Sequence, residues 1–337
     1  MTEPIEPFVP RPFRAARWLP GPHAQTVAGR YLRRGARVRY RRERLDTPDG
    51  DFLDLDFASV DGSPLAADAP LVVVVHGLEG SSSSAYVLET CRALAQAGMR
   101  ATAMNFRTCG GELNRLPRFY HAGETGDLGF VLRTLAERQP DVALGAVGFS
   151  LGGNVLLKYL GEQGAEGGDA VVRAAAAVSV PFDLTAGGEK LEASVMGRVY
   201  VYALLRTLRS KFRAKAGMIG GVCDAPRVLA ARTFREFDDA GTAPLHGFRD
   251  VEHYYTSSSS AAFLPGLRTP TLLVHSRDDP FLPEAAIPTA AVDANPCLTG
   301  VFPEHGGHVG FIGGSPWAPE FWAEREAARF LAAHLHG

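Results

Sequence analysis

The feature that most constrains this chain is its alternation of short apolar segments with segments of helical periodicity. The first strongly apolar segment, Leu71 to Val75 (LVVVV), is a continuous β-branched run, typical of a strand buried on both faces of a sheet. Further strands are predicted at 100–106, 143–149, 171–180, 271–275 and 298–302, and helices at 86–97, 123–138, 151–163 and 318–334. This order predicts an α/β fold with a mostly parallel central sheet and helices on both faces.

Three segments depart from this alternation. Residues 1–35 are rich in proline and arginine and are predicted to form an irregular N-terminal arm, followed by one main domain over residues 36–337. Segments 37–45 and 51–57 alternate apolar and polar residues, which predicts an antiparallel edge of the sheet. Residues from about 182 to 264 interrupt the strand–helix order and are predicted to be a helical insertion that acts as a lid.

One helix of the predicted insertion is strongly two-sided. Its apolar face is predicted to comprise Val201, Leu204, Leu205, Leu208 and Phe212. Its polar side is predicted to comprise Arg206, Arg209, Lys211, Arg213 and Lys215. We expect the apolar face to turn toward a pocket; contact of the basic side with an anionic membrane surface is the less favoured alternative.

Overall charge and cysteine usage exclude several classes of protein. The formal charge is −2, so no global field favours nucleic acid. The eleven arginines between residues 11 and 44, against the single acid Glu43, are interpreted as a solvated face rather than a transit peptide or an anionic-surface patch. The four cysteines have neither CxxC nor zinc-ligand spacing, so no metal site is expected. The absence of a secretory h-region or an apolar span favours a cytoplasmic location.

A Gly-x-Ser-x-Gly pentapeptide covers residues 148–152, at the junction of a predicted strand and a predicted helix. This context is typical of a sharp strand-to-helix turn that exposes the central serine as a nucleophile. Side chains at Gly148 and Gly152 would collide across such a turn. Ser150 is therefore the candidate nucleophile, and the amide of Leu151 is a candidate donor to an oxyanion.

A serine hydroxyl needs a base to take its proton, and in this motif the acid and then the histidine follow the serine in the chain. His308 is the candidate base, because it lies in a glycine-rich loop after the last predicted strand; His305 is its competitor. The candidate acid follows the strand at 271–275, where Asp279 has the better spacing and Asp278 remains the alternative. The acid would hold the imidazole tautomer and stabilise the imidazolium.

A second oxyanion donor is expected from the loop that follows the strand at 71–75, which reads His-Gly-Leu-Glu-Gly. The amide of Leu78 is the candidate. His76 precedes the nucleophile at a strand end and is assigned a structural role. Cys109 is a less favoured alternative nucleophile, with a role in the pocket wall as its main interpretation.

Together these motifs resemble the YheT-like serine hydrolases, which are related to the eukaryotic abhydrolase-domain esterases and lipases. The resemblance covers nearly the whole chain and rests on these segments: PHAQT from Pro22, HGLEGSSSS from His76, NFRTCGG from Asn105, RFYHAGETGD from Arg118, GFSLGGN from Gly148, YYTSS from Tyr254, DDPF from Asp278 and HGGHVGF from His305. The family usually has glycine where this chain has Thr108, which bears on the pocket wall. The resemblance implies an α/β-hydrolase fold and a triad of Ser150, an aspartate of the 278–279 pair and His308.

By this resemblance the expected activity is hydrolysis of short-chain or lipid-derived carboxylic esters through an acyl-enzyme intermediate. The expected partner is a small-molecule ester, and neither metal nor organic cofactor is required. Two alternatives remain open: an acyltransferase that uses the same triad, and a binding protein that has lost the chemistry.

Overall fold

The computed structural model describes residues 8–167 and 171–336. Within these residues eight strands form one sheet in the order β1-β2-β4-β3-β5-β6-β7-β8, and two further strands, β9 and β10, form a hairpin. β2 pairs antiparallel with β1 and with β4, and every other neighbouring pair of the large sheet is parallel. The strands are β1 Val38–Asp46, β2 Phe52–Val60, β3 Leu71–Val75, β4 Arg100–Asn105, β5 Leu144–Phe149, β6 Ala174–Val178, β7 Thr271–Val274, β8 Leu298–Val301, β9 Ile312–Ser315 and β10 Ala318–Phe321.

Helices cover both faces of the sheet. Side chains of α2 and α12 pack on one face and those of α3 and α4 on the other, so that the central strands are buried on both sides. The helices are α1 Pro22–Leu32, α2 Ala85–Gln96, α3 Thr125–Arg138, α4 Leu151–Glu166, α5 Leu184–Ala193, α6 Val195–Ile219, α7 Ala225–Ala230, α8 Phe234–Phe237, α9 Ala243–Leu245, α10 Val251–Ser258, α11 Thr289–Ala294 and α12 Trp322–Leu335. The predicted α/β architecture with an antiparallel edge is confirmed.

The C-terminal helix was predicted four residues too long. Ala318–Phe321, predicted as its first turn, forms β10 and pairs antiparallel with Ile312–Ser315. Pro319 lies within this strand, opposite Gly314. The local sequence pattern alone does not reveal this pairing. The hairpin contacts between β9 and β10 outweigh helical periodicity, so α12 begins only at Trp322.

Residues 1–35 were predicted to be irregular throughout. This prediction was wrong, because the segment contains α1. Pro22 occupies the first turn of this helix, where its missing N–H costs nothing. Gln25 is buried, and its side chain exchanges two hydrogen bonds with the backbone of Ile312. This contact with a residue almost 290 positions away fixes α1 on the domain, so local periodicity could not predict it. Residues 1–7 of the predicted arm lie outside the described residues.

Residues 182–264, hereafter the insertion, lie between β6 and β7 and contain helices α5 to α10. The insertion has its own apolar cluster, in which Val201, Leu205 and Phe212 of α6 are buried. The assignment of all basic residues of α6 to a polar side was wrong for two of them. Lys215 is fully buried, and its Nζ donates to the carbonyl oxygens of Leu116 and Arg118, whereas Lys211 lines a cavity described below.

Across residues 8–167 and 171–336, no helix combines the length and apolar character that a bilayer span requires.

Candidate active site

Ser150 lies at the turn between β5 and α4 with φ 51° and ψ −123°, a conformation that residues with a side chain rarely adopt. A Cβ atom on Gly148 would lie 2.6 Å from the carbonyl oxygen of Gly152, and one on Gly152 would lie 2.4 Å from that of His76. The turn can therefore close only with glycine at both positions. The amide of Ser150 donates to the carbonyl oxygen of Val178 at 2.8 Å, which holds the turn at the carboxyl edge of the sheet.

His308 lies directly beside the serine, with its Nε2 2.9 Å from Ser150 Oγ. The ring of Phe281 stacks on the imidazole with a centroid distance of 4.1 Å and an interplanar angle of 18°. This stacking fixes the plane of the imidazole, so its Nε2 is held within proton-transfer distance of the hydroxyl.

The loop that carries His308 is held by distant parts of the chain. The amide of His308 donates to Thr26 Oγ1 in α1, and that of Val309, at φ 54°, donates to Ser179 Oγ, both at 2.9 Å. Gly307 has φ 63°, and a Cβ there would lie 2.4 Å from the carbonyl oxygen of Pro22. A positive φ and close backbone contact explain the glycine that precedes the histidine.

Asp279 lies on the other side of the imidazole. Its Oδ2 is 2.9 Å from His308 Nδ1, and its Oδ1 accepts the amide of Phe281 at 2.7 Å. Burial favours a higher pKa for Asp279, but the neighbouring His308 and its hydrogen bond outweigh burial and lower the pKa. The carboxylate is therefore ionised at neutral pH and accepts the Nδ1 proton, which leaves Nε2 free to accept from Ser150.

Asp278, the alternative acid, points elsewhere. Its Oδ1 accepts the amide of Gly307 at 2.9 Å, and its Oδ2 lies 3.2 Å from Nδ1 of His305. His305 is 74% exposed, whereas the Asp279 side chain is fully buried. The structure thus brings Ser150, His308 and Asp279 together and places Asp278 and His305 in a separate pair.

Leu78 and Leu151, whose amides are the two predicted oxyanion donors, both line the cavity that contains Ser150. Within the described part of the chain, neither the Leu78 amide nor the Leu151 amide has a hydrogen-bond acceptor. The remaining amides of the loop at 77–80 do have acceptors: Gly77 donates to Tyr86 Oη, Glu79 to Tyr120 Oη and Gly80 to the carbonyl oxygen of Gly77. Leu78 is consequently the amide of this loop that is left available to a ligand.

His76 and Cys109 both lie behind these groups. His76 is buried, with Nδ1 at 2.8 Å from the carbonyl oxygen of Gly77 and Nε2 accepting the amide of Phe106 at 3.1 Å. Burial lowers the pKa of His76 to about 4, so the ring is neutral and braces the loop at neutral pH. Burial raises the pKa of the Cys109 thiol to about 11, which keeps it protonated and disfavours it as a nucleophile.

A cavity of about 800 Å³ opens at Ser150 and extends beneath the insertion. Leu204 and Leu208 of α6 line it, whereas Val201 and Leu205 of the same predicted apolar face pack inside the insertion instead. Further apolar lining comes from Phe119, Tyr120, Phe212, Phe234, Phe237 and Leu245. A mainly apolar cavity of this size suits an extended hydrocarbon group.

Asp238 is a half-buried carboxylate in the cavity wall. Its oxygens accept hydrogen bonds from Thr242 Oγ1 at 2.6 Å and from Tyr255 Oη at 2.9 Å. Burial raises the pKa of Asp238 to about 6. Because the pKa is higher in the folded protein than in the unfolded chain, protonation of Asp238 stabilises the fold. This contribution to the free energy of unfolding is fully present below about pH 4 and is lost as the pH rises through about 6.

Asp238→Asn is therefore expected to stabilise the fold at pH 8, on the order of 2 kcal/mol, with the gain disappearing toward pH 4. Urea unfolding at pH 4.5 and pH 8 measures this difference. Asp239→Asn is the matched control, because Asp239 is 37% exposed and pairs with Arg227 at the surface. A pH-independent effect of Asp238→Asn would contradict the expectation.

One cluster has residues of metal-ligating type: single atoms of His121, Glu124 and His246 lie within 4.8 Å of one another. The amide of Gly123 donates to His121 Nδ1 at 3.1 Å, so the neutral imidazole carries its proton on Nε2. That nitrogen faces Glu124 Oε2 at 3.4 Å, and Arg118 donates to the same oxygen. A metal ion would have to displace the His121 N–H and the Arg118 guanidinium from Glu124 Oε2. These residues therefore fit a hydrogen-bonded network better than a metal site.

Sequence reasoning gave no role to several residues that hold this site. Thr26 belongs to the PHAQT segment and supports the His308 loop, but its distance along the chain concealed the contact. Glu79 lies in the loop that carries Leu78, where Tyr120 contacts it, and Lys211 reaches Glu79 from the insertion. The motifs that contain Thr26, Glu79 and Tyr120 were the available signal; for Lys211 the sequence offered none.

A serine at a strained strand–helix turn, a histidine from a late loop and a carboxylate after the preceding strand define the class of the α/β hydrolases. The family model described as alpha/beta hydrolase fold matches residues 70–315. The chain therefore belongs to the α/β-hydrolase fold family and is a hydrolase.

Within this family the resemblance to the YheT-like hydrolases is confirmed. The chain is 38% identical over 315 residues to "Putative esterase YheT" of Escherichia coli strain K12. The matched residues cover 93% of this chain and 91% of YheT. It is 30% identical to the phospholipase ABHD3 of Homo sapiens, over 98% of this chain and 81% of ABHD3. The solved structure of the esterase Pf2001 of Pyrococcus furiosus shares the fold, with a TM-score of 0.56 at 17% identity over 88% of this chain and 94% of that one.

Proposed function

We propose that this hydrolase cleaves carboxylic esters with lipid-derived acyl groups, using Ser150 as nucleophile, His308 as general base and Asp279 as its acid partner. The observation that carries the proposal is the continuous contact from Ser150 Oγ to His308 Nε2 and from His308 Nδ1 to Asp279, with both distances at 2.9 Å. This chain of contacts can move a proton off the hydroxyl while the imidazolium is stabilised.

In the first half-reaction Ser150 Oγ attacks the ester carbonyl carbon as His308 Nε2 takes the hydroxyl proton. The carbonyl π electrons move to oxygen, and the resulting oxyanion accepts the amides of Leu78 and Leu151. When the tetrahedral intermediate collapses, the C–O bond to the alcohol breaks and His308 returns its proton to the leaving oxygen. The acyl group remains bound to Ser150 as an ester.

In the second half-reaction a water molecule replaces the alcohol. His308 takes a proton from the water, and the hydroxide oxygen attacks the acyl carbon. Collapse of the second intermediate breaks the bond to Ser150 Oγ, which recovers its proton from His308. Each oxyanion donor contributes about 10²- to 10³-fold in rate in sites of this type.

The cavity supports an extended acyl group as the part of the substrate that is bound. The insertion forms one part of its wall and the main domain forms the other, and we propose that the insertion acts as a lid on the main domain. Relatives whose names include phospholipase and monoacylglycerol lipase support the same class of substrate.

A fluorophosphonate probe is expected to label the protein on Ser150, since the activated hydroxyl attacks phosphorus and the product resembles the oxyanion intermediate. Peptide mass mapping locates the label, and p-nitrophenyl esters of increasing acyl length report a burst of p-nitrophenol and a preference for longer chains. Heat-denatured protein is the control for nonspecific labelling. A probe that leaves Ser150 unmodified in folded protein would overturn the proposal, and so would label found only on Cys109.

A further inference from the structure

Glu79, directly after the proposed oxyanion donor Leu78, has an unusual conformation. Its φ is 56°, a left-handed value that costs a residue with a Cβ roughly 1–2 kcal/mol. Its side chain is only 5% exposed, although the residue lies in the cavity wall. A strained backbone of this kind persists only where surrounding contacts hold it.

Tyr120 supplies one set of these contacts. Its hydroxyl accepts the amide of Glu79 at 2.7 Å and lies 3.0 Å from Glu79 Oε1, to which it donates. The ring of Tyr120 stacks on Phe106 at a centroid distance of 4.9 Å and an interplanar angle of 7°. Tyr120 is buried, so it clamps the backbone and the carboxylate of Glu79 from the main domain.

Lys211 supplies the other contact and comes from a different part of the chain. It lies on α6 of the insertion, and its Nζ is 2.8 Å from Glu79 Oε1 and 3.2 Å from Cys109 Sγ. Burial favours a lower pKa for Lys211, but the hydrogen bonds that its Nζ donates to Glu79 and Cys109 and the charge of the Glu79 carboxylate outweigh burial and raise the pKa. The ammonium is thus charged when it meets the carboxylate, and the two groups form a partly buried ion pair between the insertion and the loop.

We propose that Lys211 and Glu79 are positioning residues, whose ion pair holds the Leu78 amide at the site of the oxyanion and makes that donor depend on the docked position of α6. The inference rests on the proposed function, because it assumes that Leu78 donates to an oxyanion. Neither side chain needs to touch the reacting atoms. A misplacement of about 1 Å in a catalytic group can lower the rate about 10²-fold.

This role predicts a specific kinetic effect. An oxyanion donor acts on charge that develops in the transition state, so a misplaced donor lowers kcat and leaves KM nearly unchanged. A lysine that bound the substrate directly would instead raise KM. The two roles of Lys211 are therefore distinguishable with one substrate.

The test compares Lys211→Met, Glu79→Gln and the double variant with the unaltered protein on a p-nitrophenyl ester. Lys211→Met is expected to lower kcat about 10- to 100-fold, less than the loss of a whole donor, with KM within about twofold. The double variant is expected to be no slower than the slower single variant, because both changes remove one contact. The rate of fluorophosphonate labelling is expected to fall in parallel. Arg213→Met, an exposed change on the same helix, is the control.

Melting temperatures show which variants are folded. If Lys211→Met does not fold, Glu79→Gln tests the role of the ion pair instead, because it preserves the size of the side chain. Values of kcat within twofold of the unaltered protein in a folded variant would overturn the inference, as would a change in KM alone. In either case an inactive Ser150→Ala variant leaves the proposed function standing. An active Ser150→Ala variant would instead remove the proposed function itself.

Discussion

Ser150→Ala is expected to lower kcat by about 10⁴- to 10⁶-fold, because the imidazole of His308 then has no hydroxyl to deprotonate. The residual rate would come from water attacking a substrate held by the oxyanion donors. Steady-state hydrolysis of a p-nitrophenyl ester at high enzyme concentration measures the loss, and the fluorophosphonate probe is expected to give no label on the folded variant.

The change should leave the fold intact. Alanine keeps the Cβ at the strained φ of 51° and retains the amide that donates to Val178, so the turn loses one oxygen atom only. The melting temperature of the variant is therefore expected to match that of the unaltered protein within a few degrees. Undiminished hydrolysis by a correctly folded Ser150→Ala protein would be incompatible with the proposed nucleophile.

Asp279→Asn is expected to lower kcat by about 10⁴-fold. An asparagine amide in place of Oδ2 would present N–H to Nδ1 of His308, which favours the tautomer with its proton on Nε2. That tautomer cannot accept the proton of Ser150. The geometry and packing of the site would change little, so the loss is expected in kcat rather than in stability.

Asp278→Asn provides the matched control, because the two aspartates are neighbours and the change is chemically the same. Asp278 contacts the amide of Gly307 and the exposed His305, so its loss is expected to cost less than about tenfold. Parallel kcat measurements on the two variants decide between the acids. A larger loss in Asp278→Asn than in Asp279→Asn would reverse the assignment.

Strand prediction succeeded where burial on both faces left a strong local signal. The run at Leu71–Val75 became β3 with the same limits, and the Gly-x-Ser-x-Gly turn lies where the strand at Leu144–Phe149 meets α4. These features depend on contacts between residues close in the chain, or on composition that only a buried strand tolerates. Local sequence is therefore enough to predict them.

Prediction failed where a distant partner decides the outcome. Ala318–Phe321 has a helical pattern but pairs with β9, and α1 is held by Ile312. Lys215 was assigned to the polar side because of its charge, although it lies three residues after Phe212 and therefore on the same face of α6. It is buried there because two carbonyl oxygens accept from its ammonium group. A charged side chain can be buried when hydrogen-bonding partners are present, and only the folded chain supplies them.

The sequence by itself determined the α/β architecture, the class of chemistry and the identities of Ser150 and His308 as candidates, since residue type, spacing and chain order specify these. The tertiary structure alone decided that Asp279 and not Asp278 faces the imidazole, and that Lys211 reaches Glu79. The physical reason is that hydrogen bonds and ion pairs act over about 3 Å in space, whereas the partners here lie from 29 to 132 positions apart in the chain.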